Sequence, residues 1–549
     1  MSVTIGLLLA ISFIISLVGL AGLIWAVANH QFRRDQTNAL TVFVTGEVGT
    51  PDDASMPGKD RIANGPHYFD SARAQLDQVS RRPVLILLSS AIVWLVVGSV
   101  FGLLASLKMH WPDLLTGEAA LTFGRVRSIH LNIVIYGWLS LAGIGVATWI
   151  APRIYHTSLR NPTLPLIGAI FWNGALLAGV VTIAMGGSAG VEWLEIPWQI
   201  DVFFIVGAAC FVLPFVRTAR ARQVDHIFVS GWYFLGALSW FPVLLIVAKW
   251  PGIYSGAQGA TVDWWYAHNV LGLWLTQLGL GAGYYFISKI IGKPIYSYKL
   301  SLLGFWAIAL FYSQVGIHHL VGGPVPTWVV TLSIVHSVMM FVPVIAVGIN
   351  QHVTVLRNLW AVKASVALRF IWLGAIMYTA ASFQGSLESL RAVSTLTHFT
   401  QFTVAHAHLG NYGFVSFVMF GAIYQLMPRV TGRQWPWPAM IKAHFWLVVG
   451  GFVIYFTALT IGGVLQGLAM LDPTQAFGAS VQLLKPYLQA RSVGGAMMTL
   501  GHFIFAAHFA AIVLTRHAPA IQSAGPFNTS PVSAPTSPVP TPTSPVLAA

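Results

Sequence analysis

The sequence predicts an all-α, polytopic membrane protein, an amino-terminal anchor helix followed by a twelve-helix bundle. Three observations predict it. Hydrophobic residues make up 56% of the 549 and charged residues only 8%, more apolar surface than a water-soluble domain can hide. The apolar residues gather in runs of about 18 or more, the length that crosses a bilayer as a helix. The basic residues sit in the short loops between those runs, mostly in alternate loops, which is how positive charge sets membrane topology. The net charge of +13 is therefore no sign of a nucleic-acid partner; the partner it implies is the lipid bilayer.

In chain order, residues 1–28 form the anchor. Thr4–Ala28 is apolar, lacks a small-residue cleavage site, and ends at Trp25 before His30-Gln31-Phe32-Arg33-Arg34, the pattern of a retained span rather than a signal peptide. Residues 29–82 are polar, contain Pro51, Gly58 and Pro66, and predict a cytoplasmic linker with one short amphipathic helix around 68–80. The bundle occupies residues 83–517, with spans near 83–107, 127–152, 164–184, 199–217, 227–249, 264–289, 300–320, 327–349, 366–385, 398–427, 441–467 and 492–515. The span beginning at Phe370 or just before it is the weakest, carrying Tyr378, Ser382 and Gln384. Residues 518–549 are rich in Pro, Ser and Thr and predict a disordered tail. One set of alternate loops holds 22 of the Lys and Arg residues and the other 7. The first set is then cytoplasmic, which places the amino terminus outside the membrane and the tail inside. The single cysteine, Cys210, excludes disulfides, cysteine zinc sites, iron–sulfur clusters and covalently attached heme.

Six histidines stand out against this apolar background: His130, His268, the adjacent His318 and His319, and the spaced His406 and His408. Counted from the outer ends of their spans, all fall in a slab about 15 Å thick. Imidazole is costly in hydrocarbon, and six at one depth point to a buried layer of redox cofactors. His406 and His408 are separated by about 200° around a helix, so they face two cofactors on opposite sides. Two planar hemes flanking one helix fit, with one of these histidines pairing with His130 across a low-spin iron and the other as sole axial ligand of an open one. His318 and His319 diverge by about 100° on a regular helix but can converge at its unwinding end before Gly322-Gly323-Pro324. With His268 they make a three-nitrogen site suited to copper, zinc or iron. His336, His444, His502 and His508 need only a hydrogen-bonded neighbour.

Tyr312 lies six residues before His318, about 9 Å deeper, within approach of the His268 site. Tyr298 and Ser301 lie within about 60° of it around the same helix and form a polar stripe. No Asp or Glu falls in the cytoplasmic half of any predicted span, so this stripe is the expected path for protons.

Trp264-Trp265-Tyr266-Ala267-His268-Asn269, Tyr296-Ser297-Tyr298-Lys299-Leu300-Ser301, Phe305-Trp306, Tyr312 and Gly316-Ile317-His318-His319-Leu320 resemble the catalytic subunit of cbb3-type cytochrome c oxidases, members of the heme-copper oxidase superfamily. Phe123-Gly124-Arg125-Val126-Arg127-Ser128-Ile129-His130 and Thr397-His398-Phe399-Thr400 through His406-Ala407-His408 resemble two further motifs of that family. The resemblance implies a twelve-helix heme-copper oxidase bundle that reduces O2 and translocates protons, fed by membrane-bound c-type cytochromes. It implies two b-type hemes and one copper: His130 and His408 on low-spin heme b, His406 on high-spin heme b3, and His268, His318 and His319 on CuB. Tyr312 would be the redox tyrosine, joined to His268. Arg125, Arg127 and His398 would meet heme propionates, and Glu192 and Glu195 a calcium ion.

Two departures accompany the resemblance. The family's usual Phe-Glu-Gly is here Phe383-Gln384-Gly385, with Glu388 one turn on. The anchor is extra, and Gly-Leu-Ile-Trp-Ala-Val with Gln31-Phe32 resembles the small single-span protein that assists assembly of these oxidases. The alternatives are a nitric oxide reductase of the same superfamily and a non-heme transporter. Tyr312, and the absence of an acid in Asn269-Val270-Leu271-Gly272-Leu273, favour oxygen chemistry.

Overall fold

The computed structural model describes residues 3–32, 35–44, 47–55, 71–252 and 254–514. The tail from 518 lies outside them, as do residues 56–70, which include the first three positions of the expected amphipathic helix. Among the described residues, thirteen helices are long and apolar enough to cross a membrane. They are α1 (Thr4–Ala28), α2 (Leu76–Lys108), α3 (Phe123–Tyr155), α4 (Leu164–Ala184), α5 (Trp198–Arg220), α6 (Val229–Ala248), α7 (Gly256–Ile291), α8 (Tyr298–Leu320), α9 (Thr327–Leu356), α10 (Val366–Glu388), α11 (Gln401–Thr431), α12 (Ala439–Leu471) and α13 (Phe477–Leu514). No strand occurs among the described residues.

Three of these helices form the centre. The most apolar windows of α3, α7 and α11 are 94%, 89% and 94% buried, whereas most of the outer helices turn half or more of theirs outward. α7 and α11 are among the least apolar spans, because a helix wrapped by protein can carry polar groups that lipid would not tolerate. Their indoles tie them together: Trp138 of α3 donates to Ser416 Oγ of α11 at 2.9 Å, and Trp274 of α7 to Ser140 Oγ of α3 at 2.9 Å. Each central helix also opens into a π-helical stretch, at Ile133–Leu139, Val270–Leu275 and Leu409–Ser416. Those stretches begin just after His130, His268 and His408, and π-segments of this kind cluster at functional sites.

Several expected boundaries move. α7 begins at Gly256 rather than 264 and α13 at Phe477 rather than 492, because short polar stretches continue as helix beyond the apolar runs. Lys485 and Arg491 therefore lie on a helix and not in a loop. α8 is not a single helix. It is α-helical over Tyr298–Phe311, makes a 3₁₀ turn at Tyr312–Gln314, breaks, and re-forms as a short 3₁₀ segment at Ile317–Leu320.

The linker is also more structured than its composition suggests. The helix of α2 starts at Ser71 and runs through Pro83 without a break, so residues 71–82 belong to it. Residues 47–55 fold against the basic ends of α7 and α11. Lys289 pairs with Glu47 at 2.6 Å, Arg429 with Asp52, and Gln425 Oε1 accepts from Ala54 N at 2.9 Å. Asp53 is 4% exposed, and burial raises its pKa above its ordinary value. Carboxylates thus do reach the basic face, supplied by the linker and by the start of α2.

Asp77 on that start meets Arg153 of α3 at 2.5 Å, with side chains 12% and 5% exposed, and Arg153 also lies over the Trp149 ring at 4.0 Å. Removing one partner strands a buried charge. Asp77→Asn is expected to lower stability by about 3 kcal/mol, and pairing Asp77→Leu with Arg153→Met to recover most of it. Thermal inactivation midpoints of the three proteins check this.

Candidate metal centre

The break in α8 builds the site. After the Tyr312–Gln314 turn, Gly316 adopts φ +127, a conformation that side chains strain to reach. A Cβ there would lie 2.5 Å from Trp264 O and 3.0 Å from His268 Cβ. Glycine lets the chain fold back onto α7, and the 3₁₀ segment that follows brings both adjacent histidines inward. His318 and His319 have ring centroids 5.0 and 5.4 Å from that of His268. One ligand nitrogen from each of the three lies within 4.8 Å of the others. Among the described residues this is the group of His, Cys, Asp or Glu that is spaced to hold a metal.

Tyr312 completes it. Its hydroxyl is 3.0 Å from His268 Nδ1, and its ring lies so close over Gly272 that no Cβ fits there. Glycine at 272 is what lets the ring settle against α7 one turn beyond His268.

A cavity of about 480 Å³ extends from this group between the central helices. His130, His268, His319, His406, His408 and Tyr312 all line it, with Arg127 and Arg491. The donor set fits two hemes. A ligating histidine usually gives its second ring N–H to an acceptor, which orients the ring and frees the other nitrogen. His130 Nδ1 donates to Gly98 O at 2.7 Å and His408 Nδ1 to Val404 O at 2.8 Å. His406 Nδ1 faces Gln384 Oε1 at 3.4 Å, and His318 Nδ1 lies 3.1 and 3.0 Å from the Ser333 and Ser337 hydroxyls. For His130, His318 and His406, Nε2 is the nitrogen left for a metal, whereas His408 Nε2 lies 3.1 Å from the Tyr455 hydroxyl.

The other expected residues divide. Arg127 lines the cavity and pairs with Glu192. Arg125 does not line it: its guanidinium donates to Ala119 O at 2.8 Å and Ala184 O at 3.0 Å. The two are about 200° apart around their helix, so one faces inward and the other across to α4. His398 stacks on Phe399 and lines a second, smaller space of about 20 Å³, with His268, His318, His319, His406 and Glu388. That is room for one water. Glu195 Oε2 accepts from Asn132 at 2.9 Å, while its Oε1 is buried without a hydrogen bond, and burial raises its pKa. The Tyr298–Ser301 stripe is less continuous than helical spacing suggests. Tyr298 Oη meets His226 Nε2 at 2.5 Å, and Ser301 Oγ accepts from Asn350 of α9 at 2.6 Å. Burial, with Arg222 nearby, lowers His226 to about 4, so it is neutral and its Nε2 can accept a hydrogen bond from the Tyr298 hydroxyl.

Sequence reasoning missed Arg491, 9% exposed on the cavity wall with Nε unpartnered, the kind of buried cation that a heme carboxylate would satisfy. Placing it in a loop hid it. Ser333 and Ser337, one turn apart on α9, were unremarkable as sequence. Glu388, buried with Oε1 unpartnered, was noted only as a displaced carboxylate. The four histidines left to neighbours each have one: Phe311 O for His336, Tyr424 for His444, Ser99 and Tyr412 for His502, and Pro436 O for His508.

Fold and histidine layout together define a membrane-embedded oxidoreductase subunit of the heme-copper oxidase class. The chain belongs to the cytochrome c and quinol oxidase polypeptide I family, whose family model matches residues 82–497. Residues 4–39 match a second family, cytochrome oxidase maturation protein cbb3-type. The chain is 31% identical over 431 residues to the cbb3-type cytochrome c oxidase subunit CcoN1 of Stutzerimonas stutzeri, covering 76% of this chain and 91% of the relative. It is 26% identical over 431 residues to a nitric oxide reductase subunit from the same organism, covering 71% and 85%. Among solved structures, a heme-copper terminal oxidase dimer matches with a TM-score of 0.66 at 15% identity, covering 80% of this chain and 85% of that one. A non-heme transporter is thereby set aside, and the protein is a multi-pass bacterial membrane protein.

Ser333 Oγ contacts His318 Nδ1 and also accepts from the backbone N–H of Gly316 and His318, each at 3.1 Å, whereas Ser337 Oγ meets the ring but none of that backbone, and donates instead to Ser333 O of its own helix at 2.9 Å. Ser333→Ala is expected to weaken metal retention at the three-histidine group by about tenfold or more, and Ser337→Ala by less. Metal content after graded chelator exposure checks the order.

Proposed function

We propose that this chain reduces O2 to water at a heme b3–CuB pair, with electrons arriving through low-spin heme b from membrane-bound c-type cytochromes, and that it couples the reaction to proton translocation. The observation that carries this is Tyr312, its hydroxyl 3.0 Å from His268 in a metal-sized group made of histidines alone. Nitric oxide reductases place non-heme iron at the third site and supply it with glutamate. Here Glu388 lines the adjoining small space but is not part of the metal-sized group, which favours copper and oxygen.

In this reading His130 and His408 hold heme b, His406 holds heme b3, and His268, His318 and His319 hold copper. The metals supply oxygen binding and electron transfer. The protein supplies the rest. His406 and His408, on opposite sides of one helix, would hold the two hemes, and the backbone carbonyls of Gly98 and Val404 orient the His130 and His408 rings. Arg127 and Arg491 neutralise propionates, with Arg125 and His398 as weaker candidates. Tyr312 gives the fourth electron together with its proton. Protons reach it from the basic face, by way of Tyr298 with His226 and Ser301 with Asn350. A calcium ion at Glu192 and Glu195 belongs to the same reading, supported by the unpartnered Glu195 Oε1. The orientation read from the loop charges places the amino terminus outside.

Pyridine hemochrome and metal analysis of the purified protein are expected to give b-type heme in a two-to-one ratio to copper; iron in place of copper would favour the reductase. Tyr312→Phe is expected to retain the metals and lose oxygen reduction by about 10²-fold or more, since it removes a reacting group. Tyr298→Phe is expected to slow turnover several-fold with heme spectra unchanged. Oxygen uptake by membranes containing each variant measures both.

A further inference from the structure

The segment that matches a maturation-protein family is packed as part of the bundle. The inward face of α1 carries Ile5, Leu8, Ser12, Ile15, Gly19 and Ala26, spaced largely by threes and fours, while Phe13, Ile14, Leu17 and Val18 point outward. Such spacing makes a narrow seam for one partner helix. The partner is α8. A Cβ at Gly19 would stand 2.9 Å from Ala309 O, so the two backbones touch there. Above and below, Thr4 donates to Gln258 Oε1 at 2.6 Å, and Gln31 Oε1 accepts from Ile227 N at 2.8 Å.

At mid-membrane the contact is polar, and it falls on one residue. Ser313 Oγ donates to Ser12 O at 2.9 Å and lies 3.0 Å from Ser16 Oγ. Ser313 follows Tyr312 in the 3₁₀ turn, where no regular helix holds the backbone. Its carbonyl accepts from Trp265 Nε1 at 2.9 Å, three residues before His268. The turn that presents Tyr312 to His268 is thus gripped from two sides, by α7 and by α1. A mere anchor needs neither the seam nor the serines.

We propose that α1 is an assembly clamp built into the chain, holding the Tyr312–Ser313 turn against α7 so that the His268–His318–His319 group takes up copper and Tyr312 seats on His268. This rests on the reading of that group as a copper site. Ser12, Ser16 and Ser313 are positioning residues, and the hemes, held by other helices, do not depend on them.

The test uses the full chain. Gly19→Leu pushes α1 off α8 without touching the site; Ser313→Ala removes the bonds and keeps the helices packed; Leu17→Ala alters only the outward face. Copper by mass spectrometry, heme by pyridine hemochrome, and the joined His268–Tyr312 peptide are measured for each. Gly19→Leu and Ser313→Ala are expected to keep their heme while copper per heme and the joined peptide fall about threefold or more; Ser313→Thr should restore both, and Leu17→Ala should match the unmodified chain. Should Gly19→Leu fail to accumulate, Ser313→Ala decides alone. Copper per heme unchanged in Ser313→Ala, or copper and heme lost in parallel, overturns the clamp. An unmodified chain with heme but no copper would instead sink the copper reading itself.

Discussion

An imidazole buried among membrane helices has two ring nitrogens to satisfy, and hydrocarbon satisfies neither. In this protein one nitrogen of nearly every site histidine is taken by the protein, through the carbonyls of Gly98 and Val404, the serines of α9, the amide of Gln384 and the hydroxyl of Tyr312. The rest of the architecture serves that constraint. The helices that carry such groups must be the most enclosed, and α3, α7 and α11 are. The remaining helices wrap them, and the indole-to-serine bonds hold the three in register.

The wrapping does not by itself aim six rings at one layer. Regular helices present side chains every 100°, and the site needs finer adjustment. The π-helical stretches after His130, His268 and His408 widen each helix just past its buried imidazole. The broken α8 does the same more drastically, exchanging helix for two short turns around Gly316. Departures from regular backbone are thus concentrated next to these histidines. They are tolerated at membrane depth because they lie inside protein.

What could be read from the sequence follows from this division. Spans and their number depend on apolar runs, and those runs are explicit. The convergence of His318 and His319 was legible but its cause was not: the sequence puts the unwinding at the Gly-Gly-Pro that follows them, whereas the chain breaks before them, at Gly316. The π-stretches were not legible, since a single inserted backbone turn barely disturbs the hydrophobic pattern. Arg125 and Arg127 looked alike at two residues apart, and only packing distinguishes the one that faces the cavity from the one that faces Ala184. Arg491 and Asp77 were hidden for a common reason: polar stretches that read as loop continue as helix and carry their charges inward. The linker's docking on α7 and α11 depends on partners hundreds of residues away, beyond any local signal.

That distance has a consequence in time. The bond between Ser12 and Ser313 spans 301 positions, and that between Asp52 and Arg429 spans 377. At roughly 5–20 residues per second, α1 waits in the membrane for some 15–60 seconds of synthesis before its partner turn exists. It can close on that turn as soon as α8 emerges, while the helix bearing His406 and His408 is still unmade. The linker can seal the ends of α7 and α11 only later, when Arg429 arrives. The stretch from α1 to the linker therefore takes part in two successive closures, with Tyr312 and the three histidines near it brought together before His406 and His408 are in place.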